Sequence, residues 1–355
     1  MADINIHADT ERLIQSVQFN CDLSDREFAA DYTICIYLIR MREYYRWVHD
    51  IAPNLALDQS TLMDWVTNKE ADWAAMQTTD YLPLNWKGQE YSVFDVQSIN
   101  TFLRPQGLVY SAGYGRFSKP VFMLAELESF EQNRHYSLTI AGKELARELA
   151  APPATLQGQE ILIRSEAITR MVWDLYEEWQ WKKPDNAMAE VVNIYDFERR
   201  PMRALKRASL DQQELLILHE LGELLAEDML SDAWVKLLST DNKHQHLFAR
   251  AVRDYLADCF STLPGLLAED NVPALHFYFA SLTPMRKAMF PSLARSYQQW
   301  RETGAATQTS QGIKQAIVQG QAHWLKIARR LLTDFEQENP ERDMSMQAYI
   351  EQYAL

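Results

Sequence analysis

The segment LLILHELGELLAEDML, residues 215–230, carries the residue types in this chain that are best suited to chemistry. His219 and Glu223 are four residues apart, so on an α-helix their side chains lie about 40° apart on one face. Apolar residues cover nearly every other side of the segment, which predicts a buried helix. Because a buried imidazole and a buried carboxylate are unfavourable without partners, something must satisfy them, and a metal ion is one candidate.

Two further segments supply similar side chains. Asp254 and Asp258 are again four residues apart in RAVRDYLADCF, and His276 lies in the apolar segment ALHFYFASL. These segments predict three neighbouring helices whose side chains form a carboxylate and histidine metal site for iron, manganese or zinc. The spacing is not that of the ferritin-like di-iron proteins, because no Glu-x-x-His pair occurs in this part of the chain. The predicted ligands are His219, Glu223, Asp254, Asp258 and His276.

The pentapeptide HELGE also resembles the zinc-peptidase signature HExxH, with Glu223 in place of the second histidine. In a hydrolase of that kind Glu220 would be the catalytic base that activates a metal-bound water. HELGE thus differs from the signature at a position that would hold a metal ligand. A structural polar network is the alternative, since a buried hydrogen bond between His219 and Glu223 would satisfy both groups. Nearby arginines, Arg250 and Arg253, could pair with the aspartates in the same way.

A short basic segment, RRPMRALKR, precedes the His219 helix. It holds five basic residues and no acidic residue in nine positions. On a helix, four of these side chains share one side and could bind phosphates or an acidic partner through charge and bidentate arginine contacts. The alternative is a solvated face that balances the acidic residues around it. The predicted anion-binding residues are Arg199, Arg203, Lys206 and Arg207.

The overall charge limits the classes of partner. The 355-residue chain has 35 Lys and Arg against 49 Asp and Glu, a net charge of −14. This excludes a protein-wide basic field for nucleic acid, so the expected partner is a small molecule or a protein. Three cysteines make no disulfide framework and are interpreted as reduced thiols. No signal peptide and no run of about 18 uncharged apolar residues is present, which predicts a cytoplasmic protein without a membrane partner.

The elements that position these residues can be predicted from periodicity and punctuation. Helices are predicted over 25–50 and 58–77, and two or three short antiparallel strands between 81 and 140. A helix over 142–151 is followed by the linker APPATLQGQ, residues 151–159. Helices are then predicted over 160–182, 186–207, 211–230, 244–263, 271–280, 284–303 and 310–338.

The predicted fold is therefore mainly α. An α+β N-terminal region with a short antiparallel sheet, residues 1–150, precedes an all-α multi-helix bundle, residues 160–355. The runs DYTICIYLIRMREYYRW, GRFSKPVFMLAELE and LHELGELLAE resemble members of an uncharacterised bacterial family of unknown function. The resemblance extends over most of the chain. It implies a bacterial cytoplasmic protein, and no activity, cofactor or catalytic residue.

Two hypotheses of function follow. The first is a metal-binding helical protein, in one form a metalloenzyme that acts on a small or anionic substrate, with Glu220 as an acid–base group. The second is a non-catalytic interaction protein that contains a structural His–Glu network. The arrangement of the carboxylates and histidines discriminates between them, since a metal site requires that they converge.

Overall fold

The computed structural model describes residues 2–115, 119–230, 233–238, 242–303, 310–337 and 344–355, and for residues 2–7 the backbone alone. The fold is mainly α, with a small sheet-containing N-terminal part and a helical C-terminal part, so the predicted fold class is confirmed. The chain divides into two compact units. The first unit comprises Met1–Pro153 and Leu162–Met171, and the second comprises Ala154–Ile161 and Val172–Leu355.

Four helices and most of the strands lie in the first part of the first unit, before Pro153. The helices are α1 (Ala2–Phe28), α2 (Ile34–Val48), α3 (Gln59–Ala75) and α4 (Val96–Leu103). The strands are β1 (Leu84–Trp86), β2 (Gln89–Tyr91), β3 (Leu108–Tyr114), β4 (Pro120–Gln132), β5 (Ser137–Arg147), β6 (Ala154–Gln157) and β7 (Glu160–Arg164). Strands β1 and β2 form a separate hairpin, and the other five form one sheet in the order β3-β4-β5-β7-β6.

The long hairpin of β4 and β5 shapes this sheet. Strand β3 pairs with β4 in regular antiparallel register from Leu108↔Glu126 to Tyr114↔Pro120. The register of β4 against β5 shifts three times between Leu124 and Ser129. Because such bulges bend a strand and increase its twist, they curl the sheet. Helix α1 packs on β4 and β5, and its buried residues Leu13, Val17 and Cys21 lie one turn apart in that core.

Sequence periodicity was misleading around β5. The helix predicted over 142–151 is wrong, because Gly142 to Arg147 belong to β5. The predicted linker 151–159 contains β6, and the predicted helix at 160 is preceded by β7, so that α5 begins at Ser165. The segment KELAR has helix-forming residues, but its backbone groups are paired in the sheet, and this tertiary pairing overrides local propensity.

The first predicted helix also has different limits. Helix α1 passes through Ser24 and ends at Phe28, and α2 starts only at Ile34, so the predicted single helix over 25–50 is wrong. Ser24 does not cap a helix, because its buried hydroxyl donates to the carbonyl of Pro120 at 2.5 Å. The predicted second helix is confirmed as α3, which is capped by Asp58 through the backbone N–H of Thr61 at 2.8 Å.

A group of buried charges lies where β5 and β7 meet α5. We call Glu144, Arg147, Glu148, Arg164 and Arg170 the strand cluster. Arg164 bridges its two carboxylates, at 2.8 Å from Glu144 and 2.9 Å from Glu148, and Arg170 lies 2.8 Å from Glu144. Burial opposes ionisation of Glu144, but the surrounding arginines, Arg164 first, hold its pKa at about 2. Glu144 therefore stays ionised throughout the physiological pH range.

The second unit is helical apart from β6 and the start of β7. After the shared helix α5 (Ser165–Gln180), its helices are α6 (Ala187–Tyr195), α7 (Pro201–Met229), α8 (Ala233–Leu237), α9 (Lys243–Ala257), α10 (Leu263–Ala268), α11 (Val272–Ser281), α12 (Pro284–Met289), α13 (Pro291–Glu302), α14 (Ser310–Glu336) and α15 (Met346–Tyr353). The end predicted at 338 for the helix that starts at 310 lies outside the described residues. In the core, Trp324 of α14 stacks on Tyr255 of α9 at 5.1 Å between ring centroids. None of the described helices is long and apolar enough to cross a membrane.

Helices α9 and α10 are joined by a π-helical turn, Asp258–Thr262. The sequence predicts a helix end at Pro264, but the chain stays helical through that proline. Proline has no N–H to donate and is tolerated in the first turn of a helix, and Pro264 occupies that position in α10. The extra residue of the π turn changes the direction of the side chains that follow Ala257, and such turns are frequent at functional sites.

Candidate functional site

The site is built on an unusually close approach of two helices. Gly222 of α7 faces the backbone of Ala257, and a Cβ atom at Gly222 would lie 2.4 Å from the Ala257 carbonyl oxygen. Only glycine fits at this position, so the glycine of HELGE has a packing role. The approach brings His219 and Glu223, one turn apart on α7, against Asp254 of α9 and Asp258 at the start of the π turn.

His219 lies between two carboxylates. Its Nδ1 is 3.0 Å from Oδ1 of Asp258, and its Nε2 is 3.5 Å from Oε1 of Glu223. Asp258 is almost fully buried, at 1% exposure of its side chain, whereas the His219 side chain is 18% exposed. Ligand atoms of His219, Glu223 and Asp254 all lie within 4.8 Å of one another. The three side chains thus converge as the metal hypothesis requires.

Two arginines balance these carboxylates. Arg253 Nη2 is 2.8 Å from Oε1 of Glu223, and Arg286 contacts Asp258 and lies 3.9 Å from Asp254. The hydroxyl of Tyr278 donates a further hydrogen bond of 2.7 Å to Asp258. We call His219, Glu223, Arg253, Asp254, Asp258 and Arg286 the helix cluster. Its formal charges cancel when His219 is protonated.

The environment favours that protonated form. Burial opposes a charge on His219, but the hydrogen bonds that its ring donates to Asp258 and Glu223, together with the charges of these carboxylates, raise its pKa well above the ordinary value. Burial likewise opposes ionisation of Glu223, but Arg253 and His219 hold its pKa at about 2. Asp258 has a lowered pKa for the same reason, because Arg286 and His219 outweigh its burial. At neutral pH His219 is therefore a cation between two anions.

Glu220, the predicted acid–base residue, is buried beside this cluster at 6% exposure. Burial, reinforced by the negative charge of Glu223, raises the pKa of Glu220 to about 8. Its carboxyl group is therefore mostly protonated at neutral pH and exchanges its proton in the physiological range. This is the protonation behaviour of a general acid, at a position adjacent to the cluster.

The structure does not bring His276 into the helix cluster. Its Nδ1 lies 2.8 Å from the hydroxyl of Tyr297, and its ring packs against Trp300. The reason is helical geometry, since residues 276 and 278 point about 160° apart on α11 and Tyr278 is the one that reaches Asp258. Burial first, and then the charge of Arg301, lower the pKa of His276 to about 4. His276 is neutral at pH 7 and belongs to an aromatic group.

Sequence reasoning missed Arg286 and Tyr278. Both bind Asp258, from α12 and α11, but neither stands at a helical spacing from the predicted ligands. Arg286 packs over the ring of Tyr255 at 4.5 Å, which fixes its guanidinium beside the carboxylates. The segment PMRKAM gave no signal for this role. The predicted buried helix is also more open than expected, since Leu225 of α7 is 44% exposed.

The basic segment adopts the predicted helical form only in part. Helix α7 begins at Pro201, so Arg199 precedes the helix, and Arg203, Lys206 and Arg207 lie on it. All four side chains are exposed. Arg199 pairs with Asp196 at 2.8 Å, and Arg207 packs over the ring of Tyr195 at 5.7 Å. The four residues are thus on the surface of the second unit, as an anion-binding role requires.

The three cysteines, Cys21, Cys35 and Cys259, are free thiols, as expected.

Residues 12–164 match the N-terminal domain, and residues 169–353 the C-terminal domain, of a family of unknown function, DUF6866. Neither the comparison with curated proteins nor that with solved structures gave a match. The two domain matches cover nearly the whole chain and agree with the resemblance to an uncharacterised family. The chain belongs to the DUF6866 family, whose function is unknown.

Proposed function

We propose that the helix cluster binds one divalent transition-metal ion, with His219, Glu223 and Asp254 as its ligands. The observation that carries this proposal is the convergence of one imidazole and two carboxylates within 4.8 Å of one another. Nitrogen and carboxylate oxygen donors in this combination suit zinc, iron and manganese. Metal–ligand bonds of about 2.0–2.2 Å require the three groups to move only slightly toward a common centre.

The surroundings of His219 support the same assignment. Asp258 accepts a hydrogen bond from Nδ1 of His219. This leaves Nε2 facing Glu223 and available to a metal. A carboxylate behind a metal-bound histidine orients the ring and increases its basicity. Asp258, predicted as a ligand, would then act from behind His219. His276 would have no part in the site.

A substrate-related role follows for the neighbouring groups. Glu220, with a pKa of about 8, could deliver or accept a proton beside the metal. Arg286 would neutralise an anionic group that approaches Asp254, which is the most exposed carboxylate of the cluster at 27%. We infer, more specifically, that the protein is a metalloenzyme that acts on a small anionic substrate.

A specific observation favours a second candidate. Arg253 and Arg286 already neutralise Glu223 and Asp258, and the protonated His219 supplies a third positive charge. The cluster could therefore be a structural ion network that holds α7 against α9 without metal. The two candidates differ in proton release, because a metal must displace the proton of His219 whereas a structural network keeps it.

The test is metal analysis of protein from medium supplemented with zinc, manganese and iron. We expect about one metal ion per chain, lost in His219→Ala and Asp254→Asn. The matched controls are His276→Ala, another histidine on a helix of the same unit, and Asp228→Asn, an exposed carboxylate on α7. Both should retain the metal. Asp254→Asn removes a partly exposed group and tests the site even if His219→Ala fails to fold.

Calorimetric titration of metal-free protein with MnCl₂, in buffers of different ionisation enthalpy, gives the proton count. The metal proposal predicts the release of about one proton per ion bound, and an affinity that rises with pH. Absence of metal from the wild type, with no heat of binding, would overturn the proposal. The structural network would then be the role of the helix cluster.

A further inference from the structure

A second surface of the second unit combines positive charge with exposed apolar side chains. On α7, residues 203, 206, 207 and 210 fall within an arc of about 100° and form one stripe. Arg203, Lys206 and Arg207 are exposed, and Leu210 is 59% exposed at the end of the stripe. Met202, beside the stripe, is 40% exposed.

The fold places a second basic segment beside the start of this helix. The connection between α5 and α6 carries Trp181, Lys182 and Lys183, and Lys183 lies 2.5 Å from Glu198, just before α7. This contact shows that the connection lies next to the segment that contains Arg199 and the other basic residues. The Trp181 side chain is 87% exposed, the highest value among the exposed large apolar residues of the described chain. We call residues 181–183 together with 199–210 the basic face.

The basic face has an excess of positive charge. Its acidic neighbours in the two connections are already paired, Asp185 with Arg301, Asp196 with Arg199, and Glu198 with Lys183. Within the basic face, the described cations without a carboxylate partner are Lys182, Arg200, Arg203, Lys206 and Arg207. Helix α7 also has no side-chain cap at its N-terminus, so its dipole adds to the positive potential there. A surface of this kind attracts anions even on a chain of net charge −14.

We propose that the basic face binds an acidic segment of a protein partner that also presents apolar side chains. Carboxylates on the partner would pair with Arg203, Lys206 and Arg207. Its apolar residues would cover Trp181 and Leu210, which a purely anionic ligand would leave in water. Tryptophan and arginine are the residue types that most often dominate the binding energy of protein interfaces. The mixture of exposed apolar and cationic side chains thus favours an acidic peptide over the phosphate backbone of a nucleic acid.

The probe is a fluorescein-labelled synthetic peptide in which leucines are interspersed among glutamates, with binding followed by fluorescence anisotropy. The test variant is the double substitution R203E/K206E. The control is K326E/R329E, which makes the same change in charge at the same spacing on the exposed face of α14. We expect R203E/K206E to weaken binding at least about tenfold, and the control less than about twofold.

Three further measurements complete the test. Trp181→Ala should weaken binding, and a peptide with glutamine in place of glutamate should not bind. Asp228→Asn, an exposed change near the other end of α7, should bind as well as the wild type. An equal loss in R203E/K206E and K326E/R329E, or no binding by the wild type, would overturn the proposal. Displacement of the peptide by a DNA duplex or by phosphatidylserine vesicles at lower concentration would also overturn it, in favour of a phosphate-binding surface.

Discussion

The strand cluster of the first unit and the helix cluster of the second unit both place arginines and carboxylates in the protein interior, but they differ in what can titrate. The strand cluster contains only Arg and Glu, and its carboxylates Glu144 and Glu148 have fully buried side chains. The helix cluster contains a histidine, borders Glu220 with a pKa of about 8, and has an edge at which the side chain of Asp254 is 27% exposed.

This difference separates a structural role from a chemical one. Contacts of arginines with the fully buried side chains of Glu144 and Glu148 hold β5, β7 and α5 together, and Glu144, with a pKa of about 2, stays ionised near neutral pH. A cluster with exchangeable protons and a solvent-facing edge can take up a proton, a metal ion or an anionic group. We therefore place the candidate chemistry of this protein in the helix cluster and assign the strand cluster to stability.

The largest expected effect is loss of Arg164, which would test the structural side of the comparison. Arg164→Met leaves Glu148 buried without its arginine and removes one of three arginines from Glu144. We expect the free energy of unfolding, measured by urea titration, to fall by about 3–5 kcal/mol. Arg134→Met makes the same substitution at an exposed position and should change it by less than about 0.5 kcal/mol. Similar stabilities of the two variants would show that the strand cluster is not a stabilising element.

The second largest effect is expected at the close contact between Gly222 and the backbone of Ala257, which brings the helix cluster together. In Gly222→Ala the new methyl group would meet the backbone of Ala257, so α7 must shift and stability should fall by about 1–3 kcal/mol. Metal content should fall with it. Gly312→Ala on α14 is the control, since its nearest atoms would lie 3.7 Å from the added Cβ. That change should raise stability by up to about 1 kcal/mol. A stable Gly222→Ala protein with full metal content would contradict the role of this contact.

The pH dependence of stability should distinguish the helix cluster from the strand cluster. Glu220 has a pKa of about 8 in the folded protein, above that of an unfolded carboxyl group. Its contribution to the free energy of unfolding is therefore complete at low pH and is lost as pH rises through 8. His219, whose pKa is also raised, acts in the same direction. Glu144, with a pKa of about 2, acts in the opposite direction, since its contribution to the free energy of unfolding is lost as pH falls toward 2.

Urea titrations between about pH 5 and 9 measure this effect. The wild type should lose stability with rising pH by up to about 1.4 kcal/mol per pH unit from Glu220, and Glu220→Gln should lose correspondingly less. The difference between the two proteins isolates Glu220, because His219 is present in both. Parallel curves would show that Glu220 does not titrate in this range.

The smallest expected effect is at the surface. The pair of Arg199 and Asp196 has the same short contact of 2.8 Å as Arg164 with Glu144, but the Arg199 side chain is 85% exposed. Arg199→Ala should therefore change the free energy of unfolding by less than about 0.5 kcal/mol. A loss as large as that of Arg164→Met would mean that burial is not what separates the two kinds of ion pair.

The sequence alone determined the fold class and four members of the candidate site, His219, Glu223, Asp254 and Asp258. The 3.6-residue period of apolar side chains identified most C-terminal helices, and the i, i+4 spacing placed His219 with Glu223 on one face. These are local properties, because helix geometry fixes the relation between residues four apart. The basic segment was found in the same way, from charges that are adjacent in the chain.

Only the tertiary structure decided which of these residues meet. Gly222 sets the distance between α7 and the chain at Ala257, the π turn sets the direction of Asp258, and the rotation of α11 directs Tyr278 rather than His276 toward Asp258. The assignment of residues 142–151 to a strand likewise depends on a partner distant in sequence. Helix rotation, helix spacing and strand pairing are set by packing across the whole core, so no spacing within a single segment can reveal them.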